Sequence, residues 1–181
     1  MKTILVTGPI GAGKSEVCRI LGRMGYPVYD SDSRTKALYE SVPGLKERIE
    51  SVLGIPFSEL GRIFKSNSLR ERLEAIVYPL VLGDFERWRS SQDSPLVFME
   101  SALAGQKSIF DGEFDEKWMV DAPLYKRRRR NPKAGQRDAL QHFEKDKFDR
   151  VIVNDGTLEE LEQKIKILLD FYGLKENQAS M

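Results

Sequence analysis

The chain of 181 residues lacks several features that mark special classes of protein. It has one cysteine, Cys18, so no disulfide can form within the chain, and this is typical of a reducing compartment. Its one histidine, His142, has no cysteine or second histidine at ligand spacing, which argues against a zinc site. No apolar run is long enough for a signal peptide or a membrane-spanning helix. We therefore expect a cytoplasmic protein without a membrane partner.

An excess of charge of one sign is also missing. The chain carries 29 basic and 28 acidic residues, a net charge of +1, so no overall field attracts nucleic acid. The most basic run is Lys126–Arg130. It has no interleaved aromatic residues and no wider basic surface, which argues against a nucleic-acid site. Two interpretations stay open for this run: a lid whose guanidinium groups bind phosphate, or a solvent-exposed face of a helix.

The segment ILVTGPIGAGKSEVCRI, residues 4–20, is the most informative part of the chain. It predicts a strand, a glycine-rich loop of the form G-x-x-x-x-G-K-S, and a helix. Backbone N–H groups of such a loop bind phosphate oxygens, the lysine reaches the β- and γ-phosphates, and the serine hydroxyl binds Mg²⁺. The alternative is a glycine-rich turn that carries a lysine by chance. The motif predicts these nucleotide-binding residues, with Ser15 as the Mg²⁺ ligand: Gly8, Pro9, Ile10, Gly11, Ala12, Gly13, Lys14, Ser15 and Glu16.

Two aspartates follow the second predicted strand, in the segment PVYDSD at residues 27–32. Asp30 and Asp32 are two residues apart, so we expect both to point the same way from the end of the strand. One carboxylate can deprotonate an acceptor hydroxyl while the other helps to place the metal, with Lys14 as the third catalytic residue. The alternative is a helix cap, which needs only one of the two.

Five short apolar runs predict a doubly wound parallel five-stranded sheet in an α/β fold of the P-loop NTPase type. The strands are expected at Thr3–Thr7, Pro27–Asp30, Leu96–Met99, Trp118–Asp121 and Val151–Val153. The last helix should begin with a capping box of Thr157 and Glu160 and end at Gly173. Its expected apolar face consists of Leu158, Leu161, Ile165, Leu168 and Leu169.

The connection between the second and third strands is far longer than a crossover helix needs. Its apolar periodicity predicts a helical insertion, with a capping box from Ser68 to Glu71 and a break or bend at Pro79. We expect a single kinase domain over residues 1–181. Its parts are a nucleotide-binding core (1–30 and 95–175), a helical acceptor-binding insertion (31–94) and a short lid region (124–141).

Small size, the acidic pair and the insertion favour a small-molecule kinase over other nucleotide-binding classes. A GTPase switch carries an N-K-x-D motif, whereas this chain has only Asn154-Asp155-Gly156. A motor or helicase is longer and ends its third strand in aspartate, whereas this strand ends in Glu100. Glu100 is expected to contact the acceptor, to hold a water on Mg²⁺ or to cap the next helix.

Several motifs in the same order resemble those of the dephospho-CoA kinase family over nearly the whole chain. TGPIGAGKS is similar to T-G-G-I-G-S-G-K-S, YPVYDSD to G-x-x-V-I-D-A-D, and PLVFMESAL to P-L-L-F-E-x-x-L. IFKSNSLRERLEAIVYPLV resembles I-F…R-x-x-L-E-x-I-x-H-P-x-V, and VIVNDG resembles V-I-x-N-x-G. Arg137 and Gln141 match an R-x-x-x-Q pair. The chain departs from the family at Tyr78, where the family has histidine, and in a shortened lid.

The resemblance implies transfer of the γ-phosphoryl group of ATP, with Mg²⁺, to the 3′-hydroxyl of dephospho-CoA, giving CoA and ADP. It implies that Asp32 is the base and that the insertion binds the pantetheine arm; the sequence sets no oligomeric state. Further nucleotide-binding residues are then Arg130 and Asn154, the latter beside the adenine or only in a turn. The expected acceptor-binding residues are Asp32, Arg34, Tyr78 and Glu100. For Arg34 the alternative is an ion pair with Asp30 or Asp32.

Two other functions stay open. Shikimate-type kinases share the D-x-D after the second strand, but their third strand precedes a glycine triplet that is absent after Met99. A nucleotide-binding module without turnover is the second alternative, which the shortened lid and Tyr78 permit.

Overall fold

The structure, a computed structural model, describes residues 1–104, 107–135 and 143–173, apart from the side chain of Phe64. The chain divides into two compact units. The first consists of Met1–Tyr29 and the described residues from Gln92 onwards, and the second is Asp30–Ser91. Across the described ranges, no helix has both the length and the apolar character that crossing a membrane requires.

The first unit is built on a parallel five-stranded sheet, as the five apolar runs predict. Its strands are β1 (Lys2–Thr7), β2 (Val28–Asp30), β3 (Leu96–Glu100), β4 (Glu116–Asp121) and β5 (Arg150–Val153). They lie in the order β2-β3-β1-β4-β5, so β1 is central. Leu5 of β1 is opposite Met99 of β3 and Lys117 of β4, and Asp121 of β4 is opposite Val153 of β5. The carboxyl ends of β1, β3, β4 and β5 therefore lie at one edge, where ligands bind in sheets of this kind.

Helices pack on this sheet because their apolar residues recur on one face. The unit contains α1 (Lys14–Arg23), α5 (Leu124–Arg130) and α6 (Leu158–Asp170), with short 3₁₀ turns at Ser108–Phe110 and Lys145–Lys147. α1 and α6 contribute to one core with the sheet, in which Ile20 and Ile165 are fully buried. The capping box at the start of α6 is confirmed: Thr157 accepts from the Glu160 N–H, and Glu160 accepts from the Thr157 N–H. Leu158, expected on the apolar face, is instead 48% exposed.

The second unit is helical throughout, as predicted for the insertion. It contains α2 (Ser31–Ser41), α3 (Leu45–Leu53), a 3₁₀ segment at Phe57–Lys65, and α4 (Asn67–Ser90). Its apolar residues keep the helical period and are buried: Leu45, Ile49, Leu53, Leu73, Ile76, Val77 and Val81.

Two details predicted for this unit, the capping box and a break at Pro79, are wrong, whereas a bend at Pro79 stays a prediction. α4 begins at Asn67 with Ser66 as its cap, because the Ser66 hydroxyl accepts from the Leu69 N–H at 3.3 Å, so Ser68 and Glu71 do not form a capping box. The helix also does not end at Pro79 but continues to Ser90. Proline removes a single helical hydrogen bond, and the buried residues on both sides of it hold the helix together.

Candidate active site

The loop between β1 and α1 is held from behind by other elements of the first unit. Gly8, Gly11 and Gly13 have φ angles of +141°, +77° and +104°. A Cβ atom at Gly8 would lie 2.1 Å from the backbone oxygen of Val120 in β4, and one at Gly11 would lie 2.6 Å from the backbone oxygen of Arg127 in α5. Glycine is therefore required both for the backbone angles and for the close contacts.

The front of the loop presents backbone donors. The N–H groups of Ile10, Gly11, Gly13 and Ser15 have no acceptor among the residues that the structure describes. α1 begins at this point, and its N-cap residue, Gly13, provides no side-chain cap. Donors of this kind, together with the positive end of a helix, bind phosphate oxygens. The arrangement is the one that the glycine-rich motif predicts.

Lys14 lies against the loop. Its Nζ donates to the backbone oxygen of Gly8 at 2.9 Å and to that of Pro9 at 3.4 Å. The ammonium group is therefore at the phosphate-binding loop itself, and its flexible stem allows it to turn toward a bound phosphate.

Ser15 and Glu100 are joined by a short side-chain hydrogen bond. The Ser15 hydroxyl donates to Glu100 Oε1 at 2.6 Å, which joins the start of α1 to the end of β3. The next residue, Ser101, has a hydroxyl that accepts from the Leu103 and Ala104 N–H groups at 3.3 and 3.1 Å, and a capping role of Glu100 stays a prediction. The Glu100 carboxylate thus lies beside the hydroxyl that the motif assigns to the metal.

This pair fits Mg²⁺. Within the described ranges, no three or more His, Cys, Asp or Glu side chains form a cluster that holds a metal unaided. Mg²⁺ takes oxygen ligands and is commonly bound by one or two protein groups together with substrate phosphates and water. A hydroxyl and a carboxylate beside a phosphate-binding loop supply that kind of ligand set.

The arginines of α5 are not equivalent. Arg127 is 8% exposed and its Nε donates to the backbone oxygen of Ala122 at 3.0 Å, whereas Arg128 and Arg129 are exposed. Arg130 extends to the back of the loop, where its guanidinium donates to the backbone oxygens of Gly11 and Ala12 at 3.3 and 3.2 Å. The run therefore combines a buried residue, a solvent-exposed face and one arginine on the nucleotide loop.

Asn154, which follows β5, contacts the same loop. Its side-chain amide donates to the backbone oxygen of Ala12 at 2.8 Å, and its own backbone oxygen accepts from Arg130 at 3.2 Å. The sequence predicts Asn154 near the nucleotide, but not this contact of the side chain with the loop.

In the second unit, the acidic pair is arranged differently from the prediction. β2 ends at Asp30, and Asp32 lies in the first turn of α2, so the two do not share one face of a strand. Asp30 caps α2, because its carboxylate accepts from the N–H groups of Asp32 and Ser33 and from the Ser33 hydroxyl. Because Asp30 caps the helix, α2 begins at Ser31 and the strand does not extend to Asp32. Asp32, in contrast, is exposed.

Arg34 forms an ion pair that the sequence did not predict. Its Nε and Nη2 donate to Asp84 Oδ2 and Oδ1 at 2.8 and 2.7 Å, joining α2 to α4. Asp84 is 8% exposed. The expected alternative, a pair of Arg34 with Asp30 or Asp32, is thus replaced by a pair with an aspartate 50 residues away in the chain.

Tyr78 lies near Asp32 within this unit. Burial raises the pKa of Tyr78, and the neighbouring Glu74 carboxylate, which accepts its hydrogen bond, and Asp32 raise it further. Tyr78 is therefore a neutral hydrogen-bonding group over the physiological range. Arg137, Gln141 and His142 lie outside the described residues.

The parallel sheet, the phosphate-binding loop and the Ser15–Glu100 pair define a nucleotide-binding enzyme of the P-loop kinase class. No protein-family model matches the chain. A dephospho-CoA kinase from Thermus thermophilus is 33% identical over 180 residues, which cover 91% of this chain and 88% of that protein. A dephospho-CoA kinase from Porphyromonas gingivalis is 41% identical over 132 residues, which cover 68% of this chain and 65% of that protein.

A solved structure is also similar to the chain over most of its length. The crystal structure of TT1252 from Thermus thermophilus has a TM-score of 0.78 and 31% identity, and the match covers 94% of this chain and 97% of that one. The chain belongs to the dephospho-CoA kinase family, as its motifs predicted.

Proposed function

We propose that this enzyme transfers the γ-phosphoryl group of ATP to the 3′-hydroxyl of dephospho-CoA, giving CoA and ADP. Membership of the family supports the acceptor. Binding of ATP as the phosphoryl donor is supported by the Ser15–Glu100 hydrogen bond of 2.6 Å, which lies beside a loop with available backbone N–H groups. A cytoplasmic location belongs to the same proposal and accords with a single, buried cysteine, Cys18.

The donor is held by the first unit. The loop N–H groups bind the phosphate oxygens and Lys14 neutralises part of their charge. Mg²⁺ bound with the nucleotide would be held by Ser15, with Glu100 beside it, and supplies further neutralisation of the phosphates. We therefore assign Glu100 to the metal side of the reaction rather than to the acceptor. Arg130 serves as the arginine of the nucleotide site.

The acceptor is activated by Asp32. Its carboxylate takes the proton of the 3′-hydroxyl as that oxygen forms a bond to the γ-phosphorus, and the bond from this phosphorus to the bridging oxygen breaks, so that ADP leaves with the electron pair. Asp30 orients this residue, since its carboxylate accepts from the Asp32 N–H at 3.1 Å. We therefore assign Asp30 a positioning role in place of direct contact with the metal.

Two further residues of the second unit are assigned to acceptor binding. Arg34, whose side chain is 45% exposed, supplies a cation for the diphosphate of dephospho-CoA. Tyr78 supplies a neutral hydroxyl near Asp32 where the family has histidine. The helical unit as a whole is proposed to bind the pantetheine arm.

A coupled assay of ADP release tests the proposal, with dephospho-CoA, shikimate and nucleosides as parallel acceptors. We expect turnover with dephospho-CoA alone. Lys14→Ala is the control for the donor side, because it should weaken nucleotide binding and also lower the rate. Binding of ATP without turnover on any acceptor would make the protein a nucleotide-binding module, and turnover on shikimate would make it a different kinase.

A further inference from the structure

Asn154 is fixed in place at the end of β5. Its backbone N–H donates to the backbone oxygen of Asp121 at 2.7 Å, which continues the pairing of β5 with β4 beyond the last strand residue. Its backbone oxygen accepts from Arg130 at 3.2 Å. The residue is 7% exposed, so its side chain is buried among its neighbours at the end of β5.

The side chain of Asn154 fills the space directly behind the phosphate-binding loop. Its Nδ2 donates to the backbone oxygen of Ala12 at 2.8 Å, the shorter of the two hydrogen bonds to this oxygen, since Arg130 donates to it at 3.2 Å. Ala12 is fully buried. A Cβ atom at Gly13 would lie 2.2 Å from the same Nδ2 atom. Glycine at this place in the motif is therefore matched to the asparagine amide behind it.

Holding the Ala12 carbonyl also sets the direction of a backbone N–H group that can donate a hydrogen bond to phosphate. The C=O of Ala12 and the N–H of Gly13 belong to one peptide plane, which is trans because the described residues contain no cis peptide bond. In a trans peptide the two groups point in opposite directions. When Asn154 holds the carbonyl at the back of the loop, the Gly13 N–H points to the front, and this N–H has no acceptor among the described residues.

We infer that Asn154 is a positioning residue for the donor nucleotide: its side-chain amide holds the Ala12 carbonyl and thereby orients the Gly13 N–H toward the phosphates. The inference rests on the proposed function for the identity of that nucleotide. Asn154 acts through the loop and does not touch the substrate with its side chain.

The test is the affinity of the whole chain for ADP, measured by calorimetry for Asn154→Ala and for wild type. Loss of this one buried hydrogen bond should weaken ADP binding about tenfold. The KM for dephospho-CoA should stay within about twofold, because the acceptor does not depend on the loop N–H groups. Asn154→Asp should weaken ADP binding at least as much, since it places a carboxylate oxygen against the Ala12 carbonyl oxygen.

Asp155→Asn is the matched control. Asp155 is the next residue, its side chain is 50% exposed, and it pairs with Lys164 at 3.3 Å rather than with the loop. This variant should bind ADP like wild type. If Asn154→Ala fails to fold, Asn154→Ser carries the same comparison, because its shorter side chain cannot span the distance to Ala12.

Wild-type affinity for ADP in a folded Asn154 variant would overturn the inference and leave Asn154 as a residue that stabilises the fold. An equal rise in the KM for dephospho-CoA would do the same, since it would indicate general damage. Failure of wild type to phosphorylate dephospho-CoA is a separate result, because it rejects the proposed function while the ADP comparison still decides the role of Asn154.

Discussion

Gly8→Ala is the substitution whose cost the structure defines most sharply. The new Cβ atom would lie 2.1 Å from the oxygen, 3.0 Å from the carbon and 3.2 Å from the nitrogen of the Val120 backbone. Val120 belongs to β4, which is paired with β1 on one side and β5 on the other, so it cannot move away. Overpacking costs about 1–3 kcal/mol and a non-glycine residue at this φ angle about 1–3 kcal/mol, so we expect a loss of about 2–6 kcal/mol.

Urea unfolding measures this loss as a fall in the midpoint of the transition. Gly22→Ala is the control on the adjoining helix. Gly22 is an exposed residue of α1 with no neighbouring atom of another element within 4 Å, so alanine there should stabilise the protein by about 0.5–1 kcal/mol. An unchanged midpoint for Gly8→Ala would refute the close contact between the loop and β4.

Two further substitutions test ion pairs and hydrogen bonds of the two units. Tyr172→Phe removes the hydroxyl that donates to Glu116 at 2.5 Å, and should lower the free energy of unfolding by about 1 kcal/mol near pH 7. Burial alone would raise the pKa of Glu116, but hydrogen bonds from Tyr172, Lys2 and Trp118 outweigh it and lower the pKa. The stabilisation is therefore present above pH 4.5, the ordinary pKa of glutamate, and disappears as the pH falls through the lower pKa of Glu116 in the folded protein. Thermal melts of variant and wild type should therefore converge in acid, and a constant difference would contradict this. Arg34→Ala removes two hydrogen bonds from the buried Asp84 and should lower the free energy of unfolding in urea by about 2 kcal/mol. Arg87→Ala is the control and should lower it by less than about 0.5 kcal/mol, because Arg87 lies 3.8 Å from Asp84 and its side chain is 73% exposed. An equal fall in the free energy of unfolding for the two arginine variants would show that the Arg34–Asp84 pair stabilises the protein no more than the Arg87–Asp84 contact does.

Features that depend on neighbouring residues could be predicted from the sequence. The strands were located within two residues because buried parallel strands leave short apolar runs, and the start of α6 because a capping box lies within four residues. The phosphate-binding loop belongs to the same group, since its glycines are required by the local backbone angles.

Features that depend on distant or competing contacts could not be predicted. The pair of Arg34 with Asp84 joins residues far apart in the chain, and no local pattern marks either of them. Nothing within the run of arginines distinguishes the buried Arg127 from its neighbours, because its burial depends on the loop and on Ala122. Asp32 was misplaced for a different reason: the strand ends at Asp30 as predicted, but Asp30 caps α2, so Asp32 lies in the first turn of a helix and does not continue the strand.

The chemical claim at the centre of this account is that the Asp32 carboxylate takes the proton of the acceptor hydroxyl. The most direct measurement is kcat with dephospho-CoA for Asp32→Asn, together with ADP affinity by calorimetry. Loss of a general base should lower kcat about 100-fold or more while ADP affinity stays that of wild type. Asp32→Glu, which keeps a carboxylate, should retain part of the rate. An Asp32→Asn variant that turns over dephospho-CoA at nearly the wild-type rate would contradict the mechanism.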